Sequence, residues 1–193
     1  MTTSHLLSPP RASLVTAERF AAAADFEVYV NSLASKGDLW RALYRTLPLP
    51  DDLVERARAI GGNWRLLILS EDWCSDAVSS VPLVVRLAEQ VASLHVRILP
   101  RDENDDLMQL HLTRGTRSIP VVMILDSTYT EVGWWGPRPA TLQSWMEGEA
   151  RALPKDERGR QKRAWYARDR GRSALEEVVR LLETASKGVG AGV

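Results

Sequence analysis

The stretch WRLLILSEDWCSDAV, residues 64–78, decides the fold. Its first seven residues are a largely apolar run of strand length, which is typical of a strand covered on both faces. Cys74, the only cysteine in the chain, lies shortly after this run. Residues 78–93 are predicted to form a helix with Pro82 inside it. The order therefore predicts a buried strand, a loop that carries the thiol, and a helix.

The elements that follow complete a small α/β unit. The predicted order is a strand (95–103), a helix (104–115), two strands (118–127 and 130–135) and a helix (137–153). A strand–helix–strand start implies a parallel pair, because the crossover helix brings the chain back in the same direction. The later two strands are joined by a short turn, which implies an antiparallel hairpin. We therefore expect an α/β fold, a mixed sheet with helices on both faces.

Helical extensions flank this core domain, which spans residues 62–150. The N-terminal extension, residues 1–61, is expected to begin with a loose stretch over residues 1–12. Three helices are predicted after it: 13–35, 38–47 with Asp38 as N-cap, and 51–61. The C-terminal extension, residues 151–193, is predicted to be polar and then helical, and its glycine-rich end GVGAGV should fray.

The charge balance narrows the classes of function. Lys and Arg total 25, Asp and Glu total 25, and a net charge of zero argues against an obligate nucleic-acid binder. Between Arg151 and Arg172, however, nine residues are basic and three are acidic. Such a segment is either a solvated surface or a site for an anionic partner, and the sequence leaves both readings open.

Other features favour a cytoplasmic protein. The N-terminal stretch has no basic n-region, and Glu18 and Arg19 interrupt its apolar residues, so we expect neither a signal peptide nor a membrane span. A lone cysteine forms no internal disulfide, which fits a reducing compartment. The three histidines lie in unrelated segments and make no metal spacing with Cys74, so no metal is expected.

Four short motifs resemble a bacterial thioredoxin-like family whose motif is Trp-Cys-x-Asp rather than Cys-x-x-Cys. They are EDWCSDA (71–77), RDEND (101–105), RSIPVV (117–122) and WGPRPA (135–140). The resemblance spans residues 62–150 and implies the thioredoxin fold. It also implies that Cys74 lies, exposed, at the N-terminus of the first core helix. Backbone N–H groups and the helix dipole at such a position lower the pKa of a thiol, and the thiolate is the nucleophile.

The resemblance assigns roles to four further residues. Pro120 is expected to form a cis peptide bond and to pack against the cysteine loop. The backbone of Ile119 is expected to pair with an extended segment of a partner. Trp73 and Trp134 are expected to flank the thiol as contact surfaces, and packing in the core is the alternative for either ring.

Asp76 has two readings. At the first turn of a helix, an acid is an ordinary partner for unpaired N–H groups, and its charge would raise the pKa of a neighbouring thiol. In the second reading, Asp76 serves as a general acid or base in place of a second cysteine. The sequence leaves both readings open.

Three positions depart from related redox motifs. Ala77 stands where a resolving cysteine would be, Ile68 where a buried acid would accept a proton, and Glu71 where peroxiredoxins have a threonine. The leading hypothesis is a monothiol protein in which Cys74 attacks protein or small-thiol disulfides and an external thiol resolves the product. A low-molecular-weight thiol such as glutathione is the one cofactor that this chemistry suggests.

The alternative hypothesis is a redox-inactive binding module on the thioredoxin fold, which the losses at Ala77 and Ile68 favour. A third reading, an iron–sulfur cluster bridged through glutathione, lacks the glutathione-binding signature of monothiol glutaredoxins. The sequence predicts no oligomeric state.

Overall fold

The computed structural model describes residues 4–11 and 14–190. Its strands are β1 Ser4–Arg11, β2 Trp64–Ser70, β3 Leu94–Pro100, β4 Val121–Leu125 and β5 Glu131–Trp135. Its helices are α1 Ala17–Ala22, α2 Phe26–Ser32, α3 Gly37–Thr46, α4 Asp51–Ala59, α5 Ser75–Glu89, α6 Asp105–Gln109, α7 Ala140–Glu147, α8 Lys155–Asp169 and α9 Arg172–Gly190. A 3₁₀ turn, Glu149–Ala152, follows α7.

The strands form one mixed sheet in the order β1-β5-β4-β2-β3. β2 and β3 pair in parallel, from Trp64 opposite Leu94 to Ser70 opposite Pro100, which confirms the predicted parallel pair. β4 and β5 pair antiparallel, which confirms the predicted hairpin. β2 also pairs antiparallel with β4, so the strand that leads to Cys74 has a neighbour on each side.

The N-terminus differs from its prediction. Within the stretch expected to be loose, Ser4–Arg11 forms strand β1 and pairs antiparallel with β5; residues 1–3 and 12 lie outside the described part. The register shifts between Leu6 and Arg11, the stretch that holds two prolines without an N–H to donate. Gly133 permits the close approach of the two strands, because a Cβ there would lie 2.5 Å from the carbonyl oxygen of His5.

The helix predicted over residues 13–35 is two helices, α1 and α2. The helical conformation is interrupted at Ala24, because its backbone forms an antiparallel bridge with Ile98 of β3. Asp25 then starts α2 as its N-cap, since its side chain accepts a hydrogen bond of 2.9 Å from the N–H of Val28. A tertiary backbone contact thus overrides the high helix propensity of the alanine run.

Two other helix ends need correction. Helix α3 begins at Gly37, and its N-cap is Lys36 in the left-handed region with φ of 59°, so Asp38 is not the cap. The helix predicted over residues 104–115 is confined to α6, residues 105–109. At the C-terminus α9 runs to Gly190, so the first glycines of the tail are helical, while residues 191–193 lie outside the described part.

The predicted extensions share one hydrophobic core with the central sheet. Helix α9 packs against α4, α5, β1 and β5. Its fully buried residues at helical spacing are Leu175, Val178, Val179 and Leu182. Each such side chain contributes about 1.5–3 kcal/mol through burial. Arg56 in α4 also forms ion pairs with Glu176 and Glu183 of α9, both 2.9 Å, which join α4 to α9.

Gly136 provides a test of the packing between the segment that follows β5 and the start of β4. It has φ of 138°, and a Cβ there would lie 2.0 Å from the backbone oxygen of Pro120. We expect Gly136→Ala to lower the free energy of unfolding by at least ~2 kcal/mol more than Gly61→Ala does. Gly61 also has positive φ, 66°, but a Cβ there meets nothing within 4 Å. Urea unfolding checks this, and equal midpoints for the two variants would contradict the packing.

Candidate active site around Cys74

Cys74 is the N-cap residue of α5. Its Sγ accepts a hydrogen bond from the N–H of Ala77 at 3.5 Å and donates its proton to the carbonyl oxygen of Ile119 at 3.2 Å. The Ile119–Pro120 peptide bond is cis and directly precedes β4. The structure therefore brings three predicted residues together: the thiol lies between the first turn of α5 and the loop that carries Ile119 and Pro120.

The environment of Cys74 reverses two expectations. The residue is only 8% exposed, where an exposed thiol was expected. Its pKa is raised rather than lowered, first because burial disfavours the thiolate and second because Asp76 repels it. The N–H groups of Ala77 and Asp76 and the charge of Lys162 act in the opposite direction but do not outweigh these causes. The resting thiol is protonated at neutral pH.

Asp76 lies at the centre of a buried polar cluster and is 4% exposed. Arg138 donates to its Oδ2 at 2.7 Å, Lys162 lies 3.1 Å from its Oδ1, and the hydroxyl of Tyr166 donates to Oδ1 at 2.9 Å. The carboxylate accepts from side chains rather than from the backbone of α5. The capping reading of Asp76 is therefore wrong, and Cys74 occupies the N-cap.

The two cations hold Asp76 in its charged form. Burial opposes ionisation most strongly, yet Arg138 and Lys162 together outweigh it and lower the pKa of the carboxyl. The pKa of Tyr166 is raised by burial and by the charge of Asp76, so its hydroxyl keeps the proton that it donates. A carboxylate held ionised in this way is a weak proton acceptor, which favours an electrostatic role over general base catalysis.

The sequence did not identify the three side-chain partners of Asp76. Arg138 stands in the WGPRPA motif but carried no assigned role, and Lys162 and Tyr166 belong to the basic segment after Arg151. Part of that segment is folded over the site rather than free in solvent, since Lys162 also donates to the Ser75 hydroxyl at 2.8 Å. The only sequence signal for these contacts was the surplus of basic residues after Arg151, which is consistent with a buried or bound anion.

Trp73 lies at the surface beside the thiol. Its side chain is 51% exposed, and the guanidinium of Arg101 lies 4.8 Å from its ring centroid. The ammonium of Lys36 donates to the Trp73 carbonyl oxygen at 2.9 Å. The ring is thus available as the contact surface that the resemblance implies.

Trp134 does not flank the thiol as expected. The ring is 6% exposed and lies within the sheet, stacked on His5 at 4.2 Å between ring centroids and meeting His111 edge-on at 5.5 Å. His5 and His111, which lie in unrelated segments of the sequence, therefore meet on one indole. Trp135 is also buried, and its indole N–H donates to Glu177 at 2.7 Å. Both tryptophans of β5 belong to the core, because His5 of β1 stacks on Trp134 and α9 packs on β5 at Trp135.

Neither a metal cluster nor a membrane helix is found in the described part of the chain. Over residues 4–11 and 14–190, no three His, Cys, Asp or Glu side chains are placed to share a metal ion. Over the same residues, no helix combines the length and the apolar character needed to cross a bilayer.

The fold and the site agree with the family to which the chain belongs. A family model described as thioredoxin matches residues 23–157, well over half of the chain, so the protein belongs to this thioredoxin family. The thioredoxin-like fold predicted from the sequence is therefore confirmed.

Two crystal structures resemble the protein. One is of a protein of unknown function from Pseudomonas aeruginosa, with a TM-score of 0.70 and 22% identity over 89% of this chain and 99% of that one. The other is of an HIV epitope-scaffold, with a TM-score of 0.70 and 22% identity over 90% of this chain and 99% of that one. At this identity both show the fold alone. No curated protein matches the chain.

Asp76→Asn tests the energetic weight of the cluster. The substitution leaves Arg138 and Lys162 without their anion, and removing one partner of a buried ion pair costs about 3–5 kcal/mol. We expect a loss of that size in the free energy of unfolding at pH 7, measured by urea titration. Asp52→Asn, which breaks the exposed pair with Arg172, is the control and should lower stability far less.

The same variant gives a pH prediction. Because the folded-state pKa of Asp76 is lowered, its ionisation stabilises the fold above the unfolded value of about 3.9 and ceases to do so as the pH falls through the folded pKa. The stability difference between wild type and Asp76→Asn should therefore narrow as the pH falls from about 5 towards 2. A difference that stays constant over this range would show that Asp76 is not held ionised.

Proposed function

We propose that the protein exchanges thiols and disulfides through Cys74 alone, with an external thiol completing the reaction. The observation that carries this proposal is the position of the sulfur, between the N–H of Ala77 at the start of α5 and the carbonyl of Ile119 before the cis-proline. A thiolate formed there accepts hydrogen bonds from the first turn of the helix.

The reaction has two balanced steps. The Cys74 thiolate attacks a disulfide R–S–S–R′, so that a Cys74–S–S–R bond forms and R′S⁻ leaves. A second thiolate, R″S⁻, then attacks the R sulfur, which releases R–S–S–R″ and restores the Cys74 thiolate. Because Ala77 replaces a resolving cysteine, the second thiolate comes from outside the chain. A cytoplasmic low-molecular-weight thiol such as glutathione has the required chemistry.

The raised pKa of Cys74 shapes both steps. Little thiolate is present at neutral pH, so the first attack is slow. In the second step Cys74 is the leaving group, and a thiol of high pKa leaves slowly. Both effects favour a mixed disulfide that forms slowly and lasts long, which suits capture or protection of a thiol better than rapid turnover.

Formation of the mixed disulfide frees a hydrogen-bond acceptor in the backbone that faces the sulfur. In the resting state the Ile119 carbonyl accepts the thiol proton of Cys74. A disulfide sulfur has no proton, so this carbonyl becomes free to accept an N–H from an extended partner segment. Pro120 then fixes the direction of the chain beside the sulfur, and the exposed ring of Trp73 offers the apolar contact.

A redox-inactive binding module remains the second candidate, and one observation favours it. Cys74 is nearly buried and its thiol proton is engaged, as expected of a small core residue. In this case the surface around Trp73 and Ile119 holds a partner segment without covalent chemistry.

Transfer of glutathione from a glutathionylated peptide to the protein separates the two candidates. With equimolar protein and no added glutathione, intact mass should show that wild type slowly gains one glutathione, faster as the pH rises, and that Cys74→Ser gains none. Excess glutathione added afterwards should slowly restore the unmodified chain. A wild-type chain that gains no glutathione would favour the binding module.

The charge cluster makes a second, independent prediction about the thiol. The rate of Cys74 alkylation should rise with pH to a midpoint above about 8.5, the value of a free thiol. Lys162→Met should move that midpoint upward, because it removes a cation that stabilises the thiolate. Lys155→Met, an equal charge change at the exposed start of α8, is the control and should leave it unmoved. A wild-type midpoint below 8 would contradict the protonated resting thiol.

A further inference from the structure

Helices α3, α5 and α8 enclose a groove of about 570 Å³ beside the thiol loop. This volume lies within the range of small-molecule sites, about 300–1,000 Å³. Leu39, Leu43 and Leu47 follow one another at four-residue spacing and line one wall from α3 and its end. Leu39 is 48% exposed, so the protein covers this wall only in part.

The other walls are also largely apolar. Val78 of α5 and Ala167 of α8 face the leucines across the groove. The polar groups of these walls are hydroxyls: Ser75 and Ser79 of α5 and Tyr166 of α8. A predominantly apolar lining with few polar groups is typical of a site that takes the apolar body of a ligand and fixes its orientation.

Two cations stand at this groove, and no carboxylate is among the described residues that line it. Lys36 already donates to the Trp73 carbonyl oxygen. Arg163 has no ion-pair partner among the residues that the structure describes, although its neighbours on α8, Arg160 and Lys162, each have one. An exposed guanidinium beside an apolar groove matches one carboxylate, with which it forms two parallel hydrogen bonds.

We propose that this groove binds a small amphipathic carboxylate. The apolar body lies along the leucines of α3 and against Val78. From Leu39 to Leu47 the helix rises about 12 Å, a length that on the order of ten carbons would cover. The carboxylate meets Arg163, with Lys36 as the second cation. Nucleic acid fits less well, because its phosphates need a row of cations and the lining is mainly apolar.

The groove borders the thiol site without containing the sulfur. Ser75, which lines it, directly follows Cys74 and accepts from Lys162. Tyr166, which also lines it, donates its hydroxyl to Asp76. A bound ligand would therefore lie against the same first turn of α5 that holds the thiol. Binding needs no chemistry at Cys74, so the inference does not rest on the proposed thiol exchange.

Calorimetric titration of the full chain with decanoate, below the concentration at which it forms micelles, tests the proposal. We expect one saturable site per chain. Arg163→Glu should weaken the affinity by about tenfold or more, since a hydrogen-bonded charge contact is lost. Arg168→Glu, an equal charge change on α8 outside the groove, should stay within about twofold of wild type.

Two further measurements test the apolar wall and the independence of the site. Leu39→Gln, at a half-exposed position, should weaken decanoate binding while leaving the urea midpoint close to that of wild type. Decanol and acetate should each bind more weakly than decanoate. Cys74→Ser should bind decanoate as wild type does, so that failure here is distinguishable from failure of thiol exchange.

Three results would overturn the proposal. They are the absence of saturable decanoate binding to wild type, an equal loss of affinity in Arg163→Glu and Arg168→Glu, and a wild-type dimer in light scattering that Leu39→Gln dissociates. The last result would assign the groove to a second copy of the chain.

Discussion

The buried carboxylate of Asp76 is the constraint on which the rest of the structure depends. A charge removed from water costs several kcal/mol unless partners surround it, so the chain has to bring cations to it. Arg138 comes from the loop after β5, and Lys162 and Tyr166 come from α8. The carboxylate therefore ties the C-terminal segment to the first turn of α5. A region that would otherwise be a solvated extension becomes a wall of the thiol site.

The same cluster sets the state of the thiol. A cysteine at a helix N-terminus is ordinarily activated, because the N–H groups favour the thiolate. Here burial and the charge of Asp76 outweigh that advantage, while Lys162 moderates the repulsion. A protonated thiol fits the slow exchange that we propose, in which Ala77 replaces the resolving cysteine. In that exchange the chemistry of Cys74 would depend on access and on the supply of an external thiol.

Local patterns predicted the parts of this molecule that depend on neighbours in the chain. The apolar run of β2, the thiol at the start of α5 and the hairpin of β4 and β5 each have a short-range signature. The errors at the N-terminal strand and at the site share one cause, which is distance along the chain. Strand β1 forms because β5, more than a hundred residues later, offers its edge, and this pairing also buries Trp134. The partners of Asp76 lie 62 and 90 residues away, as Arg138 and Tyr166, and no spacing rule identifies such a contact.

The most direct test of this account is the titration of the Asp76 carboxyl carbon by NMR on protein labelled with ¹³C at aspartate, with Asp76→Asn used to assign the resonance. Arg138 and Lys162 hold the pKa of Asp76 below its ordinary value, so the predicted result is a titration midpoint below about 3.9. A titration step above about pH 4.5 would show a protonated acid beside Cys74, and would contradict the ion cluster as the organising contact of the site.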